Sequence, residues 1–310
     1  MKAFIAGHAG MVGQSLVRSI PEKYNLITAS RKQLDLKNYD QMFKFFTEQG
    51  PEVVIIAAAK VGGIGANSTN QREFLVENLS IQNSVISAAA DARVPNLIFL
   101  GSSCIYPKFA AQPISEEALM SGPLEPSNEG YALAKIAGIR LVRAIFEELG
   151  LNYFSLMPTN LYGPNDNFDE FNSHVPAALM RKFHAAKELH SETVVVWGTG
   201  TPRREFLHVD DLASACWFLL DKGIAGELIN VGTGIDISIQ QFANLVAKIV
   251  GFEGKIVFDD TKPDGTPRKL LDVTRVQSLG WKHQIELEDG IQETYQWFLA
   301  ALERGEIRGH

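Results

Sequence analysis

The 310-residue sequence predicts an α/β fold, a doubly wound parallel sheet joined to a smaller α/β unit at the carboxyl end. Three observations carry this expectation. Short apolar runs alternate with segments of helical periodicity, the pattern of βα repeats around a parallel sheet. The run Val53-Val54-Ile55-Ile56-Ala57 is continuously apolar, as a strand covered on both faces must be. The chain also opens with a short strand, Phe4-Ile5-Ala6, that enters a turn bearing Gly7, Gly10 and Gly13 and then a helix over 14–20.

That opening turn suits a dinucleotide. Gly7 permits a tight turn, Gly10 lets backbone approach a pyrophosphate, and Gly13 allows helix and strand to pack closely. The helix start offers unpaired N–H groups to the phosphates. The next strand, 26–29, ends at Ser30-Arg31, where an NAD site would carry an acidic residue for the ribose hydroxyl. A cation there suits a 2′-phosphate and favours NADP(H) over NAD. A helix over 39–49 and the strand at 53–57 follow, and small residues at 58–65 open a loop close to the cofactor. A long helix over 73–92 leads to a strand at 97–100.

The stretch after that strand, Gly101-Ser102-Ser103-Cys104, lies at the sheet edge where ligands bind in such folds. Tyr131 and Lys135 stand four apart in a helix running to Leu149, so both leave one face, a turn apart. An ammonium beside a phenol favours the phenolate, and such a phenol can exchange a proton with a carbonyl or alcohol oxygen. Ser102 could hydrogen-bond that same oxygen.

Further strands and helices are expected at 153–157, 175–189, 194–198, 210–220, 227–231, 239–250, 255–258 and 287–302. Trp197 either stacks on a base or packs in the core. Arg203 and Arg204 follow the turn after it, and 264–269 reads as a charged turn. Asp210 and Asp211 suit a helix start, and Cys216 reads as inert core. The division expected is 1–160 with about 205–232 for the cofactor, and about 161–204 with 233–310 for the substrate.

Composition narrows the partners. Apolar residues are 45% and the net charge is −7, which argues against general nucleic-acid or membrane-surface binding. Cys104 and Cys216 are the only cysteines, which fits a reducing compartment. The opening apolar run is too short for a signal peptide, and no run approaches the about eighteen apolar residues of a membrane span. A cytoplasmic protein without a metal is expected, because the histidines are scattered.

These stretches together resemble the extended short-chain dehydrogenase/reductase superfamily and, within it, the GDP-L-fucose synthase family. The resemblance rests on Gly7–Gly13, Ala57–Gly63 (AAAKVGG), Leu100–Lys108 (LGSSCIYPK), Tyr131–Gly138 (YALAKIAG) and Met157–Pro164 (MPTNLYGP). Asp166–Phe168, Asn172–Val175 (NSHV), Arg204–Asp211 (REFLHVDD) and Lys262–Val273 (KPDGTPRKLLDV) extend it over nearly the whole chain. It implies a Rossmann-type fold, NADPH, and a GDP-linked 4-keto-6-deoxy sugar epimerised at C3 and C5 before reduction at C4. By the same resemblance Cys104 and His174 move protons in the first stage, and Ser102, Tyr131 and Lys135 serve the second. Cofactor contacts are implied at Gly7, His8, Ala9, Gly10, Met11, Val12, Gly13, Arg31, Ala58, Lys135, Pro158, Asn160, Leu161 and His174. Substrate contacts are implied at Lys182, Trp197, Arg204, Asp264, Arg268 and Lys269, and a homodimer through the helices at 73–92 and 131–149. The chain departs from many bacterial members in carrying Ala9 where they have a cation, which leaves Arg31 more isolated and implies a weaker preference for NADPH. A 4-epimerase, a plain 4-keto reductase and a dinucleotide sensor are the alternatives. None of them calls for both a titratable thiol and imidazole beside Tyr131 and Lys135.

Overall fold

The computed structural model describes residues 1–169, 173–262 and 264–307; Asn172 and Pro263, members of two motifs above, lie outside them. The chain begins β1 (Lys2–Ala6), α1 (Met11–Arg18), β2 (Asn25–Ile27), α2 (Tyr39–Gln49), β3 (Val53–Ile56), α3 (Ile64–Thr69), α4 (Gln71–Asp91), β4 (Asn96–Leu100), α5 (Glu129–Leu149) and β5 (Asn152–Pro158). It continues β6 (Asn160–Tyr162), α6 (Val175–Glu188), β7 (Thr193–Trp197), β8 (Arg203–His208), α7 (Val209–Lys222), β9 (Leu228–Val231) and β10 (Asp236–Ser238). The last elements are α8 (Ile239–Val250), β11 (Lys255–Asp259), β12 (Arg268–Lys269), α9 (Thr274–Ser278) and α10 (Leu287–Glu303).

Six strands form one parallel sheet in the order β2-β1-β3-β4-β5-β9. The expected frame is present, and all four residues of β3 are buried. β1 lies between β2 and β3, so the winding reverses beside the glycine turn and opens a crevice at the strands' carboxyl ends. Phe4, Ile55, Ile98 and Phe154 lie in the core of this sheet, which also takes in Leu271, Val276 and Trp281 from late in the chain. A second core gathers Tyr162, Phe183, Phe206, Phe242 and Phe298. Around it β8 pairs with β10, β12 and β6, while β7 pairs with β11.

Two expectations are corrected here. The segment at 264–269 is not wholly a turn, because Arg268 and Lys269 form β12 against Arg203 and Arg204 of β8. β8 itself has no apolar signature in its first half, Arg203-Arg204-Glu205; Arg203 pairs with Asp236, and Glu205 accepts amides beyond β9 and β12. The loop expected after β3 also contains α3. By contrast α8 has the expected bounds, closed by a capping box between Ser238 and Gln241.

Glu205 is wholly buried and joins the two parts of the molecule. Its carboxylate accepts the amides of Thr233 (2.7 Å) and Gly234 (2.7 Å), just past β9, and of Leu271 (3.0 Å), just past β12. Its backbone carbonyl accepts Thr159 Oγ1 (3.3 Å) and Asn160 Nδ2 (2.7 Å), between β5 and β6. Burial pushes the carboxyl's pKa up, against the pull of the amide donors. Replacing it with alanine leaves three amide donors unpaired, of which that of Leu271 is fully buried. Glu205→Ala is expected to lower unfolding stability by about 3 kcal/mol or more in a urea titration; a loss under about 1 kcal/mol would mean that water satisfies those amides.

Candidate active site

The crevice begins at the glycine turn. A methyl group on Gly13 would lie 2.1 Å from the carbonyl of Gly7 and 2.6 Å from Cα of His8, so only glycine lets α1 start this close to β1. The same atom on Gly10 would meet nothing nearer than 3.5 Å, so that side of the turn is open. The first turn of α1 has no acidic residue and no side-chain cap. Its free N–H groups and the open turn fit the diphosphate of a dinucleotide. His8, Met11 and Val12 are half-buried along the turn and Ala9 is exposed. Arg31, exposed just past β2, stands where a cation can meet a 2′-phosphate. Ala58 follows β3, and Pro158, Asn160 and Leu161 follow or end the next strands on this edge.

β4 and α5 place the reactive side chains. Gly138 brings α5 close to the sheet, since a methyl there would lie 2.5 Å from the Phe99 ring. One turn earlier, Lys135 is buried and its Nζ donates to the Leu100 carbonyl at 2.8 Å. Its Nζ lies 5.9 Å from the Tyr131 ring centre. Burial lowers the Lys135 pKa to about 8. Burial, and next the nearby Cys104, raise the Tyr131 pKa, with a hydrogen bond to Ser102 opposing them. The expectation that Lys135 would draw Tyr131 toward phenolate is therefore corrected. The ammonium is turned to a backbone carbonyl, and desolvation keeps the phenol protonated. A protonated phenol hydrogen-bonded to Ser102 can donate to an oxygen that gains negative charge.

Cys104 sits two residues beyond Ser102, in the turn Ser103–Ile105, with its amide 3.2 Å from Ser102 Oγ. Lys269 Nζ lies 3.3 Å from its sulfur. Burial raises the thiol pKa, but the Lys269 charge, hydrogen bonds from Ser102 and Lys269, and the Arg204 charge outweigh it and favour the thiolate. Strand alternation produces this arrangement. Paired residues share a face, so Arg204 and Lys269 turn toward Cys104 while Arg203 and Arg268 turn to Asp236. Cys216, in contrast, is fully buried in α7 and its pKa is pushed up to about 12.

The other predicted residues divide. Arg204 is largely enclosed, donates only to its neighbour's carbonyl at 2.8 Å among the bonds described, and has its pKa lowered by burial. His174 is the residue before α6; surrounding protein lowers its pKa while its surface still meets solvent. Trp197 is 70% exposed with Lys262 over its ring, so the core-packing alternative falls and a face is free for stacking. Lys182 donates to the Val195 carbonyl of β7. Asp264 accepts the Thr199 amide (2.9 Å) and hydroxyl (2.7 Å), and Arg268 borders the pocket beside Cys104 while paired with Asp236. Sequence reasoning missed Glu205; the signal was a carboxylate directly ahead of the apolar half of β8. It also missed that His208, Asp210 and Glu293 bring donor atoms within 4.8 Å, although Asp210 is already held by Arg18 at 2.6 Å.

A family model for the NAD dependent epimerase/dehydratase family matches residues 3–232. The chain belongs to this family. Within it, the chain is 54% identical over 300 residues to GDP-L-fucose synthase 1 of Arabidopsis thaliana, covering 96% of this chain and 93% of that one. It is 49% identical to GDP-L-fucose synthase of Escherichia coli K12, covering 98% of each. Among solved structures, the GDP-mannoheptose C4 reductase of Campylobacter jejuni with NADP bound is 39% identical with a TM-score of 0.89, covering 96% of this chain and 98% of that one. The epimerase/dehydratase family thus accounts for the glycine turn and the Tyr131–Lys135 pair, while the Cys104–Lys269 contact is a feature to be explained by what this member does.

Lys269→Met removes the cation nearest the thiol. The pH midpoint for alkylation of Cys104 by iodoacetamide is expected to rise by about one unit or more. An unchanged midpoint would mean that Lys269 does not act on the thiolate, and buried Cys216 provides the unreactive internal reference.

Proposed function

We propose that the protein converts GDP-4-keto-6-deoxy-D-mannose to GDP-L-fucose, epimerising C3 and C5 and then reducing the C4 ketone with NADPH. The observation that carries this reading is the joining of two chemistries in one crevice. Tyr131 and Ser102 form a proton-donating pair for a carbonyl oxygen, and Cys104 beside Lys269 is a thiol held toward its basic form. A reductase needs the first and not the second. The relatives named as GDP-L-fucose synthases support the substrate.

The roles follow from the physical chemistry. With Ser102 and Tyr131 hydrogen-bonded to the 4-keto oxygen, the flanking carbons become acidic because an enolate can form. Cys104 as thiolate removes a proton there, and His174 returns one to the opposite face. His174's lowered pKa favours its neutral form at rest, so it takes from solvent, which its exposed surface meets, the proton that it returns, and Cys104 releases the abstracted proton to solvent. The glycine turn, Arg31, Ala58, Lys135 and the 158–161 segment would hold NADPH, which when bound would supply the hydride for C4. Tyr131 then gives its proton to the alkoxide. Arg204 and Lys182 suit the diphosphate, the exposed face of Trp197 suits the guanine, and Asp264 and Arg268 shape the loop over the nucleotide.

The two separate cores support a division into cofactor and substrate units, except that 271–281, expected with the substrate unit, packs on the cofactor side. No helix among the described residues is long and apolar enough to cross a membrane, and we place the protein in the cytoplasm. A homodimer through α4 and α5 belongs to the same proposal; Val76 (49% exposed) and Leu133 (46%) lie on those helices.

With substrate and NADPH in deuterated water, GDP-fucose labelled at C3 and C5 is expected, and Tyr131→Phe is expected to lose reduction by about 100-fold or more while still exchanging label. Product without label would leave only a reductase. Arg31→Ala is expected to raise KM for NADPH about tenfold with little effect on NADH; equal effects would place Arg31 outside the cofactor site.

A further inference from the structure

A pocket of about 30 Å³ lies beside Cys104, lined in part by Lys108, Gln112, Glu125, Asn128 and Lys269. That volume admits a hydroxyl or a water and no ring. Its polar walls are mostly engaged. Lys108 pairs with Glu125 at 3.0 Å, Gln112 Oε1 accepts the Leu270 amide at 2.9 Å, and Lys269 holds Cys104. Tyr106 donates to Asn230 at 2.6 Å. Asn128 differs, because its Oδ1 is buried without a hydrogen-bond partner. Asn128 immediately precedes α5, the usual place for a capping asparagine, yet its side chain makes no capping bond. A buried acceptor left open beside a reactive thiol calls for a donor from a ligand.

The ligand's geometry names that donor, given the function proposed above, on which this step rests. Tyr131 and Ser102 define the position of the C4 oxygen; Cys104, whose amide meets Ser102 Oγ, and Asn128 both line the pocket beside it. The two carbons next to C4 carry a hydroxyl at C3 and a methyl at C5. Only the hydroxyl can donate to Asn128. We infer that Asn128 receives the C3 hydroxyl of the sugar and so makes the enzyme selective for 3-hydroxylated over 3-deoxy GDP-sugars. The residue lies three positions before Tyr131, at the start of the helix that carries it, so substrate orientation and proton delivery are set together.

The test compares kcat/KM, read as NADPH consumption, for GDP-4-keto-6-deoxy-mannose and for its 3-deoxy counterpart. The ratio of the two is expected to fall about tenfold in Asn128→Ala, the effect of losing one neutral hydrogen bond. Asn128→Asp retains an acceptor oxygen and is expected to keep the ratio within about threefold of the parent. A ratio unchanged in Asn128→Ala, including an equal loss on both substrates, would overturn the inference and leave Asn128 a structural residue. Failure of the unmodified protein to turn over either sugar would instead overturn the function on which the inference rests.

Discussion

The carboxylate of Glu205 has no access to solvent, so every one of its lone pairs must be met from within the chain. It meets amides that follow β9 and β12, and its own carbonyl meets side chains that follow β5. These contacts fix where β8 crosses the end of the parallel sheet. Arg204, adjacent in sequence, and Lys269, its register partner, then reach the crevice from the side of the second core. The two cations nearest Cys104 therefore depend on a buried group on the far side of β8's ladder contacts. Without it, β12 would lose a tie to the sheet, and the Lys269–Cys104 contact would lose its support.

Within the crevice, desolvation and local charge act against each other, and the balance differs at each residue. At Lys135 burial prevails and brings the ammonium to a pKa of about 8. At Tyr131 burial prevails again and keeps the phenol protonated. At Cys104 two cations and a serine hydroxyl overcome burial. The outcome is a phenol held in its protonated form and, in the same crevice, a thiol shifted toward its thiolate. Such divergence of neighbouring groups is a recognised mark of acid–base sites.

Much of the frame was legible in the sequence. The apolar run at 53–56 could only be a strand covered on both faces, and the Gly7–Gly13 turn could only lie where backbone and helix approach closely. The helix carrying Tyr131 and Lys135 was equally plain, ending before Gly150 in the left-handed conformation (φ 68°). β8 and β12 were not legible. Their charged residues look solvated in one dimension, and only the partners Asp236 and Cys104 show why they are strands.

The sequence by itself determined the α/β class, the dinucleotide turn, the Tyr131–Lys135 pair and, through resemblance, the identity of Cys104 and His174 as candidates. The first three follow from periodicity and spacing, which are local properties of a chain. Only the tertiary structure decided the protonation of the groups. Lys135 faces a backbone carbonyl rather than the phenol, and Lys269 reaches Cys104 across 165 residues of sequence. The physical reason is that a pKa is set by burial and by charges brought near in space, and neither is a function of position along the chain.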